Sequence, residues 1–255
     1  MRNDVHKYIY PIQSILHNMN RLYEQFHAAV LKYANDKVIL LRDKEVTMWL
    51  CGQLEFLQLP DTYEKKNKTK DNEQYKTVED LWGQKKLAIR RPDLKPSGQW
   101  TTKLGEHICE EFQYLFQKNC SKPIRKNNFE PDVETEDAIW EVKTQTYYTS
   151  GTAGEKILGV PVKYADVPLL YDKELKILCI GYAEKCSRDH YGILPGIAIT
   201  ERKQKMLDFY HSMNISYVGT TDLMKQYVED INIKEEVETQ NELSIKNVLH
   251  NDLLV

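Results

Sequence analysis

Apolar side chains recur at spacings of three and four from Ile12 through Ile15, Leu16, Met19, Leu22, Tyr23, Phe26 and Val30 to Tyr33. That spacing draws one stripe along a helix, and Pro11 suits its first turn. The pattern predicts a helix over residues 11–34 and a second over 44–59, stopped by Pro60. Residues 61–76, DTYEKKNKTKDNEQYK, carry almost no aliphatic side chains and predict a mobile loop. A short helix over 78–89 follows. Leu104, Ile108, Phe112, Leu115 and Phe116 mark another amphipathic helix. Beyond it come two strand-like stretches, 124–135 and 138–147, and then YTSGTAGEKILG, which opens a short helix. LKILCIGYA, residues 175–183, is an aliphatic run suited to a central strand. A helix over 200–213, the strand ISYVG and a final helix beginning TTDLM complete the chain.

This order implies an α/β (α+β) fold: a mixed β-sheet core flanked by helices on both faces, with an N-terminal helical region. The expected organisation is a helical region over 1–99, a core over 100–228, and an acidic C-terminal helical tail over 229–255. The first region includes the mobile loop near 61–76 and the start of a basic segment, 82–105.

Composition adds little, with 41% hydrophobic and 29% charged residues in 255. It excludes neither an enzyme nor a binding module. No apolar run reaches the length of a membrane helix, and the N-terminus lacks the apolar core of a signal peptide, so the expectation is a cytoplasmic protein with no membrane partner. Five cysteines without a CxxC pair argue against a disulfide framework or a zinc ribbon. The net charge of −3 is unevenly spread. Residues 82–105 hold Lys85, Lys86, Arg90, Arg91, Lys95 and Lys103 against Asp93 alone, whereas residues 229–242 hold six acids against Lys234. Such segregation suits a polyanion-binding face with an acidic back.

The chemistry concentrates in FEPDVETEDAIWEVKTQ, residues 129–145. Alternation on a strand points Ile139, Glu141, Lys143 and Gln145 one way, and Ala138, Trp140, Val142 and Thr144 the other. Any half-solvated strand looks like this. Acid-x-Lys also occurs at Glu64/Lys66, Asp93/Lys95, Glu174/Lys176 and Glu201/Lys203, and Pro-Asp at Pro60-Asp61 and Pro92-Asp93. Only Pro131-Asp132 is joined to an acid-x-Lys by a hairpin-sized gap of eight residues with strand-like sequence at both ends. Hydrolysis of a phosphodiester needs charge neutralised on the phosphate, a water activated and the leaving oxygen stabilised. Two carboxylates on neighbouring strands make a hard oxygen site for Mg²⁺, to which the backbone carbonyl of Val142 can add a ligand. A lysine on the same face can orient the water or stabilise transition-state charge.

PD-x8-EVK resembles the active-site signature of the PD-(D/E)XK nuclease superfamily. KLGEHICEEF before it and EVKTQTYYTSGTAGEKILGVPVKYADVPLLY after it are similar to type II restriction endonucleases of bacteria and of large DNA viruses. The resemblance covers about residues 102–184. It implies a restriction-endonuclease-like core, with Asp132 and Glu141 as metal ligands and Lys143 as the catalytic lysine. It further implies Mg²⁺ as cofactor, with Mn²⁺ able to substitute, and double-stranded DNA as substrate, cut to 5′-phosphate and 3′-hydroxyl ends. A homodimer acting on a short two-fold site is the default assembly, in a cytoplasm that is either bacterial or that of a virus-infected host. Two other readings stay open: a structure-specific repair or recombination nuclease of the same superfamily, and a non-catalytic DNA-binding module.

Flanking residues divide between function and plain structure. Glu106 and Glu110 share one side of the preceding helix; Glu106 is a candidate third metal ligand, and solvent exposure explains it equally well. Thr152 and Glu155 have capping-box spacing, so a helix start alone accounts for them. The alternative is a phosphate contact by Thr152 and Lys156. Gln145 suits a phosphate contact or a bond to a neighbouring strand. Lys163 is a further DNA-binding candidate beside the uncommitted Tyr164. Arg90, Arg91, Lys95 and Lys103 can track a DNA backbone, which gives affinity without sequence information.

Overall fold

Four strands form one mixed sheet in the order β1 (Val133–Glu134), β2 (Ala138–Gln145), β3 (Glu174–Gly181) and β4 (Ile215–Gly219). The computed structural model describes residues 9–59, 69–95, 100–148 and 153–252, with side chains over 21–59, 73–95, 100–148 and 155–240. β1 and β2 make an antiparallel hairpin, with Val133 opposite Trp140 and Glu134 opposite Ile139. β2, β3 and β4 run parallel, with Glu141 beside Ile177, Lys143 beside Cys179 and Gln145 beside Gly181. Parallel neighbours need crossovers. These are supplied by three short helices, α5 (Ala153–Leu158), α6 (Val160–Lys163) and α7 (Val167–Tyr171), before β3, and by α8 (Tyr182–Asp189) and α9 (Glu201–Ser212) before β4.

The alternation read from the sequence sorts β2 between two cores. Ala138, Trp140 and Val142 enter the largest hydrophobic cluster, whereas Ile139 joins Val160, Tyr164, Val167, Tyr171, Leu175, Ile177 and Ile215 on the opposite face. The large cluster is built from both ends of the chain. Helix α1 (Ile9–Tyr33) contributes Leu22, Phe26 and Val30, and α2 (Lys44–Leu50) contributes Val46, Trp49 and Leu50. They pack with Trp82 of α3 (Thr69–Arg90), with Leu104, Ile108 and Phe112 of α4 (Trp100–Leu115), and with Met224 and Tyr227 of α10 (Thr220–Asp252). The division at 99/100 therefore does not separate two cores. The division at 228/229 falls inside α10, whose Glu235 pairs with Lys32 at 2.8 Å.

Several boundaries differ from the sequence expectations, each for a local reason. The second helix ends at Leu50 and not at 59, because Gly52 takes a left-handed φ of 75°, with a single 3₁₀ turn following at Glu55–Leu57. A Cβ at Gly52 would also meet the Tyr147 hydroxyl at 3.2 Å. Residues 69–76, expected in the mobile loop, are helical: Glu, Gln and Lys are good helix formers, and Tyr75 packs edge-on against Tyr148. The remainder of that loop, 61–68, lies outside the described residues. The strand expected over 124–135 shrinks to Val133–Glu134, since Asn127 and Asn128 have φ of 45° and 65° in a turn closed between Lys126 and Phe129. Gly181, at φ 63°, ends β3 two residues early and turns the chain into α8. All five cysteines are free thiols. Among the described residues no helix is long and apolar enough to cross a membrane.

Candidate metal centre and nuclease site

Hairpin geometry brings the two expected carboxylates together. Asp132 directly precedes β1; its amide donates to the Trp140 carbonyl at 3.0 Å, and its Oδ2 accepts the Val142 amide at 2.7 Å. Its carboxylate thus lies across the strand from which Glu141 projects. Burial, then the charge of Glu141, push the Asp132 carboxyl up from its usual range to about 6, although the Val142 amide and the Lys143 ammonium pull the other way. Glu141 is 5% exposed. Its Oε1 accepts from Lys143 Nζ at 2.5 Å, while its Oε2 is buried with no hydrogen-bond partner. Lys143 Nζ also reaches the Val142 carbonyl at 3.2 Å. The ammonium therefore touches two of the three oxygens expected to hold a cation.

Other buried glutamates of the chain provide the contrast. Glu79 accepts Trp49 Nε1 at 2.7 Å and the Tyr147 amide at 2.9 Å, with the Tyr148 amide at 3.4 Å. Glu111 takes the Leu40 and Leu41 amides at 3.0 and 2.9 Å. Glu184 accepts Thr220 Oγ1 at 2.5 Å, the Thr221 amide at 3.1 Å and Arg188 Nη2 at 2.8 Å. Those three carboxylates pin loops and helix starts, with a partner on every oxygen. Glu141 alone among these four leaves an oxygen orphaned, and an unmet buried acceptor costs about 1–3 kcal/mol. The other strand-borne acid-x-Lys is a second control. Glu174 and Lys176 pair at 3.3 Å with side chains 36% and 25% exposed, an ordinary surface contact.

The donor set suits a small divalent cation. Two carboxylates and a backbone carbonyl are hard oxygen ligands, and the two buried carboxylates share a single ammonium, leaving Asp132 raised and Glu141 Oε2 without a partner. Among the described residues no cluster of three or more His, Cys, Asp or Glu side chains forms a metal cage. Glu106 is accordingly not placed as a third ligand. It is bound to Lys103 at 2.7 Å, although its charge still contributes to raising Asp132. Helix α4 lies this close because Gly105 has no side chain: a Cβ there would fall 1.9 Å from Thr144 Oγ1.

The flanking candidates scatter. Gln145 sits on the Glu141/Lys143 face, 9% exposed, and its Oε1 is buried without a partner, so that oxygen accepts no bond from a neighbouring strand. Lys163 Nζ donates to Tyr164 Oη at 3.3 Å. The Tyr164 phenol is raised by burial, then by the charges of Glu141 and Asp132 and by its approach to the Glu141 side chain, which sets this pair beside the carboxylates. The sequence assigns Tyr164 no role; its place in the apolar cluster around Ile139, two residues before Glu141 on the same face, emerges only from the fold. Lys156 is exposed on α5, and Thr152 lies outside the described residues.

The basic segment is mostly neutralised. Arg91 is bound to Asp93 at 2.7 Å and Lys103 to Glu106. Arg90 lies 3.9 and 3.8 Å from Glu110 and Glu111, and Lys86 is held by Asp43 and Glu45. Asp93 and Glu106 are local partners, two and three residues away, whereas Asp43, Glu45, Glu110 and Glu111 arrive from other elements and are missed by counting charges within the segment. Lys95 stays exposed.

No family model, curated protein or solved structure matches the chain. The functional argument therefore rests on the hairpin itself.

Proposed function

We propose that the protein is a Mg²⁺-dependent endonuclease that hydrolyses double-stranded DNA at a specific sequence, in the manner of a type II restriction enzyme. The observation that carries this reading is the buried Glu141 carboxylate with one oxygen orphaned next to a destabilised Asp132, when every oxygen of the other buried glutamates among the described residues has a partner. Asp132, Glu141 and the Val142 carbonyl would hold the cation, which when bound supplies charge neutralisation at phosphate and a more acidic water. Lys143 lies on the same strand face and can stabilise charge on the attacked phosphate or hold the attacking water. Water oxygen bonds to phosphorus as the P–O3′ bond breaks, and the 3′-oxygen takes up a proton, giving 5′-phosphate and 3′-hydroxyl ends. Lys163, held beside Tyr164, is available to a backbone phosphate near the carboxylates.

The test is incubation with sequenced supercoiled plasmid in Mg²⁺ or in EDTA. Discrete fragments with ligatable 5′-phosphate ends in Mg²⁺ alone are expected, and the Asp132→Ala protein gives none. Cleavage only of branched or ended DNA would replace sequence recognition with structure recognition, and full cleavage in EDTA would remove the metal from the account.

A further inference from the structure

The polar row on β2 has three members, Glu141, Lys143 and Gln145, at every second residue and therefore on one face. Lys143 stands in the middle. Its ammonium is presently turned to Glu141 Oε1 and the Val142 carbonyl. On its other side, about 7 Å further along the strand, is the Gln145 carboxamide, within the reach of a lysine side chain. Gln145 is nine-tenths buried and its Oε1 lacks any donor. Neighbouring strand positions on this face do not supply one: beside Lys143 and Gln145 on β3 stand Cys179, whose sulfur is engaged by Ser187 Oγ at 3.4 Å, and Gly181. From its register, Lys143 is the one cation that β2 and β3 place on this face.

We infer that Gln145 is a positioning residue, a second station for the Lys143 ammonium. This rests on the nuclease reading above. When the Glu141 carboxylate turns to a divalent cation, the ammonium loses both its carboxylate and its carbonyl contact and transfers to Gln145 Oε1. That move satisfies the orphaned acceptor and separates the lysine from the cation. It also fixes the ammonium two residues along from the metal ligand. The same buried oxygen that is unmet without metal becomes the element that holds the catalytic lysine in place. Loss of such positioning reduces turnover by about 10- to 100-fold without weakening binding.

The experiment compares wild type, Gln145→Leu and Gln145→Glu. Calcium binding is measured by calorimetry, the Ca²⁺ complex is examined by crystallography, and DNA cleavage is measured in Mg²⁺. The Ca²⁺-bound wild type should show Lys143 Nζ hydrogen-bonded to Gln145 Oε1. Gln145→Leu should bind Ca²⁺ as wild type does and keep the KM for DNA, with kcat lower by about 10- to 100-fold. Gln145→Glu, which retains an acceptor, should recover most of that loss. Lys143 remaining on Glu141 with Ca²⁺ bound, absence of Ca²⁺ binding, or wild-type kcat in Gln145→Leu would each overturn the inference. Wild type that binds Ca²⁺ and moves Lys143 yet cuts no DNA would overturn the nuclease reading alone.

Discussion

Replacing Asp132 by Asn should make the metal-free protein more stable while abolishing cleavage. Asn keeps an oxygen for the Val142 amide, which Asp132 Oδ2 accepts at 2.7 Å, and removes only the charge. Burial and the neighbouring Glu141 raise the Asp132 carboxyl from 3.8 to about 6. At about 1.4 kcal/mol per pKa unit, a rise of roughly two units means that the ionised carboxylate costs the folded state up to about 3 kcal/mol at neutral pH. The sign follows from proton binding. Between pH 4 and 6 the folded state holds a proton that the unfolded chain has released, so wild-type stability is fully retained below about pH 4 and is lost as pH rises through about 6. Asp132→Asn does not titrate there. Thermal melts in EDTA should therefore coincide near pH 4 and separate above pH 7, with the variant melting up to roughly 6–12 °C higher for a chain of this size. Saturating Ca²⁺ should close the gap by stabilising wild type alone. A variant that melts below wild type at pH 7.5 in EDTA, or a gap that does not vary with pH, would refute the reasoning that Asp132 is held in a charge-deficient site.

Lys143→Met should remove cleavage and yet raise Ca²⁺ affinity several-fold in calorimetry, because the ammonium now occupying Glu141 Oε1 and the Val142 carbonyl is gone. Lowered affinity would mean that the lysine supports the cation. Glu79→Ala should lower stability by at least about 3 kcal/mol in urea melts, since it strands Trp49 Nε1 and the Tyr147 amide in the core; a change within about 0.5 kcal/mol would contradict the reading of Glu79 as a structural clamp. Residues 100–255 expressed alone should show no cooperative unfolding, because Phe26, Val30 and Trp49 share one core with Phe112 and Met224. A sharp melt of that fragment would re-establish a separable domain.

Periodicity exposed most of the architecture, and pairing in space governed what it hid. The stripe ending in Phe26 and Val30, the aliphatic run of β3 and the ISYVG strand all appear in place, since each is set by local alternation and burial. Helix α3 starts earlier than its lack of aliphatics predicts, because Tyr75 finds its partner, Tyr148, far along the chain. The same holds for the site. Asp132 and Glu141 were visible because a hairpin joins them over eight residues. The orphaned oxygens of Glu141 and Gln145, and the acids that meet Lys86 and Arg90, depend on which elements meet.

The most direct test of the account pits its two strand-borne acid-x-Lys pairs against each other. Mg²⁺-dependent plasmid cleavage and Ca²⁺ affinity are measured for Glu141→Ala and Glu174→Ala. Glu141→Ala should lose both, with cleavage down by more than about 1,000-fold, while Glu174→Ala, at the exposed pair, should retain both. Equal behaviour of the two variants, or cleavage surviving in Glu141→Ala, would contradict the assignment of the hairpin as the metal centre.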